Sequence, residues 1–169
     1  ARWNAVPGFG SVPVKTDMDV SPDGCLWLSV PDKGLIRYDS SGITSFSPSD
    51  SELPDNHVGK IVADDDSRVW FSVLSSNKLI NGLYSYDGVS FQYFRSAGPV
   101  DPSVEKIHLC ESDTLFFLSD SGISQYDGVS VDAFYTGFDH ENEWHYQLAS
   151  VAGKNGVQWF YGAMGLKSF

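Results

Sequence analysis

Cysteine is scarce, basic residues are few, and long apolar runs are missing. Each absence excludes something. Two cysteines, Cys25 and Cys110, cannot make a disulfide-dense scaffold, and they are not in the C-x-x-C spacing of a zinc or redox site. Both sit in apolar runs, Gly24-Cys25-Leu26-Trp27 and His108-Leu109-Cys110, so buried free thiols are expected. Eleven Lys and Arg stand against 22 Asp and Glu, a formal net charge of -11. The basic residues are scattered, which excludes a nucleic acid as partner, because phosphate binding needs clustered Lys and Arg. An acidic surface is also repelled by anionic membranes. No run approaches the roughly 18 apolar residues of a membrane span, so direct membrane insertion is not expected. Nor does a 3.6-residue apolar period persist for about ten residues without Gly, Pro or Asp-Gly interrupting it, which argues against helices.

What is present points to sheets. Aromatics make up 14% of the chain, a high share that suits half-buried pleated surfaces. Sixteen Gly and eight Pro, spread evenly, mark many turns. The length of 169 residues suits one domain.

A repeat runs through the chain. The first copy reads Asp23-Gly24-Cys25-Leu26-Trp27-Leu28-Ser29-Val30, then Gly34-Leu35-Ile36-Arg37-Tyr38. The second has Asp66 to Val73, then Gly82-Leu83-Tyr84-Ser85-Tyr86. The third has Asp113 to Leu118, then Gly122-Ile123-Ser124-Gln125-Tyr126, and the fourth Asn155 to Tyr161, then Gly165 to Phe169. The aromatics Trp27, Trp70, Phe116 and Trp159 step by 43, 46 and 43 residues. A period near forty with four short strands per unit is that of a propeller blade. Asp-Gly and Asn-Gly pairs support tight hairpins. The strand after each is apolar on both faces, with Trp27 on one side and Leu26 and Leu28 on the other, so it must be covered on both. Innermost strands are expected at Lys15 to Val20, Val58 to Ala63, Val104 to Leu109 and Tyr146 to Val151. More polar outer strands are expected at Ile43 to Phe46, Val89 to Phe94 and Val129 to Phe134.

The expected fold is therefore all-β, a four-bladed β-propeller, with blades at about 15–47, 58–94, 104–134 and 146–169 plus 2–6. The fourth repeat stops before its outer strand, while the first residues have no repeat of their own. Arg2 to Val6, with Trp3 and Val6 in the register of the missing strand, is expected to close the ring.

The pattern Asp-Gly-x-Leu-Trp-Leu/Phe … Gly-Leu-x-x-Tyr-Asp-Gly resembles the two-component-regulator propeller repeats over nearly the whole chain. Those repeats occur in periplasmic sensor regions of bacterial hybrid histidine kinases and in other secreted propellers. The resemblance implies a non-catalytic ligand-recognition and dimerisation module. Family sensors carry many more than four blades, so a small ring looks more like a lectin, an adhesin or a virion attachment domain. An extracellular, periplasmic or virion-surface location follows from the resemblance.

Function is expected in the loops between blades and between second and third strands, which share one face of a propeller. The richest is Tyr135 to His145, where Tyr135, Phe138, His140, Trp144 and His145 stand beside carboxylates. Flat aromatics stack on sugar rings or apolar side chains, and His and Asp direct hydrogen bonds, so a protein or a glycan is the expected partner. Phe9, His57 and Asp101 lie in sibling loops and are expected at the same mouth. The lengthened Leu74 to Asn81 loop, with Leu79 and Ile80 at its tip, is expected to be an interaction surface, and self-association is left open. No metal or cofactor is expected, apart from a cation that carbonyls in the central channel could hold. H-E-x-x-H is absent, and Asp64-Asp65-Asp66 lacks the ligand ladder of a calcium loop and reads as a solvated hairpin. Without a G-x-S-x-G, P-loop or G-x-G-x-x-G, an enzyme is not expected, a propeller hydrolase or lyase being the alternative.

Overall fold

The computed structural model describes residues 17–94, 104–110, 114–119, 122–135, 149–152, 158–162 and 165–168. The described residues form four antiparallel sheets in chain order. The first comprises β1 (Asp17–Val20), β2 (Leu26–Val30), β3 (Gly34–Asp39) and β4 (Gly42–Phe46). The second comprises β5 (Val58–Ala63), β6 (Val69–Val73), β7 (Gly82–Tyr86) and β8 (Phe91–Phe94). The third comprises β9 (Val104–Leu109), β10 (Leu115–Ser119), β11 (Gly122–Tyr126) and β12 (Val131–Tyr135). The fourth has β13 (Ala149–Ala152), β14 (Gln158–Gly162) and β15 (Gly165–Ser168). Each sheet is a simple meander, and the first strands β1, β5 and β9 lie side by side. The protein is all-β with a propeller-like arrangement of repeated sheets. The expected closing strand, Arg2 to Val6, lies outside the described residues.

The double-sided strands explain the packing. Trp27, on β2, is buried in a cluster with Val69, Phe71 and Tyr84 of the second sheet. Its β2 neighbour Leu28 points the other way and clusters with Val30 and Ile36. One sheet on, Trp70 faces Leu115, Phe117 and Tyr126 of the third sheet, while Phe71 faces back to the first. The first and second sheets thus each insert an aromatic into their successor. The inner strands add a polar link. Asp17 and Asp19 of β1 accept hydrogen bonds from the Ile61 and Ala63 amides of β5, at 3.0 and 2.9 Å. Two edge amides that no strand pairs are satisfied this way.

One sequence expectation is corrected here. Asp65 and Asp66 are solvent-exposed, as a solvated hairpin requires, but Asp64 is buried. Its carboxylate accepts the Trp70 indole N–H at 2.8 Å and the amides of Asp66 and Arg68 at 3.1 and 2.8 Å. The physical reason is the tryptophan six residues on: a buried indole N–H must find an acceptor. Blade one uses Ser21 for the same task, accepting from Trp27 Nε1 at 3.3 Å. The corresponding residue of the third repeat is Cys110, and its aromatic is Phe116, which has no N–H to satisfy. Asp64→Ala is expected to destabilise the protein by about 1–3 kcal/mol, the cost of orphaned buried donors, while Asp64→Asn keeps an acceptor and loses less. Denaturant unfolding of both variants, with Trp70→Phe to test coupling, measures the difference.

Candidate binding face

Three loops meet at the boundary between the first and second sheets: residues 31–33 joining β2 to β3, residues 47–57 joining β4 to β5, and residues 74–81 joining β6 to β7. The middle loop is pinned from below by Leu53, which is buried in the core between the two sheets. Gly34, with φ +83°, makes room for it: a Cβ there would strike the Phe46 carbonyl oxygen and the Leu53 side chain. Only glycine takes that backbone shape without penalty. Upstream, Asp50 accepts hydrogen bonds from the Ser47 amide and hydroxyl, which fixes the start of the loop as a turn.

At the loop's end, Asp55 ties the second and third segments together, and His57 approaches the first. Its Oδ1 accepts the His57 amide at 2.9 Å and stands 2.7 Å from His57 Nδ1. Its Oδ2 accepts the Ser75 hydroxyl at 2.5 Å. His57 Nε2 in turn lies 3.6 Å from a carboxylate oxygen of Asp32, at the tip of the β2–β3 turn. The Leu74 amide donates to the His57 carbonyl at 2.9 Å. The Ser75 hydroxyl holds the Asp55 carboxyl well below the usual range, at about 2, reinforced by the His57 amide and ring and opposed by burial. The order of the contacts bears on chemistry. Serine meets the carboxylate, not the imidazole, so this cluster lacks the hydroxyl–imidazole pairing that would activate a nucleophile. Among the described residues no three of His, Cys, Asp and Glu are grouped to hold a metal ion.

The lengthened loop is ordered by its own side chains. Lys78–Ile80 forms one turn of 3-10 helix whose N-cap, Asn77, accepts the Leu79 amide. The Asn81 side chain accepts the Ser75 amide at 2.6 Å, and the Tyr84 hydroxyl donates to the Ile80 carbonyl at 2.9 Å. Leu79 is left 83% exposed at the tip, and Ile80 is half-buried. Burial, with a smaller push from Tyr93, raises the Tyr84 phenol to about 12, so it stays a donor at any physiological pH.

Of the residues singled out from sequence, His57, Leu79 and Ile80 stand on this face. Tyr135 ends β12, its backbone paired with Ile123. Phe9, Asp101, Phe138, His140, Trp144 and His145 lie outside the described residues. Asp32, Asp55 and Ser75 were missed. Asp55 carried a local signal, because Asp two residues before an amide that needs an acceptor is an Asx-turn pattern. The link to Ser75 spans 20 residues and had none.

Acid sensitivity follows from Asp55. Its folded pKa lies below the ordinary 3.8, so its stabilisation is complete above that value and is lost as pH falls through about 2. The expected size is on the order of 2 kcal/mol. Asp55→Asn should flatten the acid limb of the stability–pH curve measured by urea unfolding.

No protein-family model and no curated protein matches the chain. Solved structures do. The chain is similar over its whole length to the extracellular domain assigned to the hybrid two-component system BT3049 of B. thetaiotaomicron, at 14% identity and a TM-score of 0.66. It is likewise similar over its whole length to PorZ, a surface component of the type-IX secretion system of Porphyromonas gingivalis, at 17% identity and a TM-score of 0.67. A structure assigned as a gluconolactonase matches 90% of the chain at 13% identity and a TM-score of 0.53, and the match takes in 58% of that structure. The chain spans 23% of the first of these structures and 28% of the second. Likeness at these identities establishes the propeller-like fold that all three share with this chain.

Proposed function

We propose that this chain is a non-catalytic binding module of an extracellular or cell-surface protein, and that it works through the loops of the face described above. One observation carries the reading: Asp55 ties the 47–57 and 74–81 loops into a platform from which Leu79 projects, His57 reaches toward Asp32 of the third loop, and no activated nucleophile is assembled there. A fixed platform binds with little loss of conformational entropy. The likeness to sensor and secretion-system surface domains supports the same reading.

The reading includes a closed ring. Burial of Leu28, Val30 and Ile36 supports it, because these residues lie on the face of the first sheet turned away from the second. Covering of that face from within the chain is what closure requires. Removal of residues 1–6 is then expected to lower the thermal midpoint by several degrees. An unchanged midpoint would show that Arg2 to Val6 closes nothing.

Binding is tested with the labelled protein on peptide and glycan arrays. The wild type should retain a defined class of probe, and Leu79→Asp and Asp32→Ala should lose about tenfold or more in affinity with unchanged thermal midpoints. Blank arrays would count against the reading. Turnover of gluconolactone by the wild type, abolished by a loop substitution, would replace it with the enzymatic one.

A further inference from the structure

In the first three sheets the turn between the third and fourth strands lies at the end away from the loop face, because alternate turns of an antiparallel meander lie at opposite ends. These ends are aligned from sheet to sheet. Asp17 and Asp19 meet the Ile61 and Ala63 amides in the same order, so β1 and β5 run parallel. Arg68, at the close of the β5–β6 turn, donates to the Tyr126 hydroxyl at 3.4 Å. That hydroxyl donates in turn to the Gly128 carbonyl of the β11–β12 turn at 2.9 Å.

Two of these turns end in an uncovered valine. Val89, between β7 and β8, is 90% exposed, and Val129, between β11 and β12, is 86% exposed, the two highest values among the described large apolar residues. The two turns are built alike. Asp87 accepts the Val89 and Ser90 amides at 2.9 and 2.8 Å, and Asp127 accepts those of Val129 and Ser130, both at 2.9 Å. The turn itself does not need the valine. In the first sheet Ser41 stands three residues after Tyr38, as Val89 and Val129 stand after Tyr86 and Tyr126. Its amide is held in the same way, by the Asp39 carboxylate at 2.7 Å. The fold therefore gains nothing from the two valines, and each shows water an apolar surface that serine would not.

The charges around the valines define the partner. Among the described residues, every fully exposed charge in the turns at this end is a carboxylate: Asp23, Asp65, Asp66, Asp87 and Asp127. Arg37 and Arg68 are half-buried, over the Trp27 and Trp70 rings at 5.8 and 5.5 Å. The loop face differs, with Lys33 and Lys78 exposed on the same loops as Asp32 and Leu79. We propose that the hairpin end is a second docking surface, where Val89 and Val129 seat in a partner polypeptide segment that sets apolar side chains among Lys or Arg. Apolar contacts inside a rim of complementary charge give such an interface both adhesion and selectivity. An anionic bilayer is repelled by the same carboxylates.

Fluorescence anisotropy with a labelled peptide of alternating Leu and Lys tests this on the whole chain, beside a Ser–Lys peptide of equal charge. The wild type should bind the Leu–Lys peptide. Val89→Ser combined with Val129→Ser should weaken binding about tenfold or more at an unchanged thermal midpoint, since it installs what the Ser41 turn already carries. Asp65→Asn combined with Asp66→Asn should weaken it too and lessen its salt dependence. Leu79→Asp and Asp32→Ala, on the loop face, should leave it unchanged, so this surface can fail while the loop reading stands. No binding up to about 1 mM would overturn the proposal. So would full affinity in the paired valine variant, loss confined to the loop-face variants, or equal affinity for the Ser–Lys peptide, which is general charge attraction. Retention on phosphatidylcholine vesicles that the paired valine variant abolishes would replace the polypeptide with a membrane.

Discussion

The structure depends on aromatic insertion between neighbouring sheets. A four-stranded meander that is apolar on both faces cannot be stable alone, because one face always meets water. Trp27 and Trp70 solve this by filling the space between one sheet and the next. Trp70 is fully buried, with Phe94, Phe117 and Tyr126 around its ring at 4.6 to 6.2 Å. Losing an aromatic of that kind costs about 3–5 kcal/mol, a large part of the stability of a domain this size. The sheets are therefore thermodynamically dependent on their neighbours, and the loops that join them inherit that rigidity.

Burying tryptophan creates a second demand, and its solution is finer than the hydrophobic pattern. Six residues before the tryptophan, the acceptor is Ser21 in the first sheet and Asp64 in the second. The third repeat replaces both members together, with Cys110 and Phe116. The Cys110 thiol is pushed up to about 11 by burial, so it is a neutral apolar filler in the place where an acceptor is no longer needed. Across the first three repeats the match between donor and acceptor is kept while the residue identities change.

This distinction marks what can be read from sequence. The two-sided strands, the Asp-Gly hairpins and the forty-odd-residue period are local or strictly periodic, and the inner strands β5 and β9 fall where the pattern places them. The turns repeat to the atom: Asp87 and Asp127 each accept two amides within the same Tyr-Asp-Gly-Val-Ser segment. The role of Asp64 was hidden, because composition marks an acidic run as solvated and only the packing of Trp70 draws one of its three carboxylates inward. The Asp55 platform was hidden for a different reason. It is built by contacts between loops of different blades, and no periodicity relates Asp32, Asp55 and Ser75. Aromatic richness makes Tyr135 to His145 conspicuous in the sequence, and its residues after Tyr135 lie outside the described ones, while the platform is assembled from small polar residues that are unremarkable one by one.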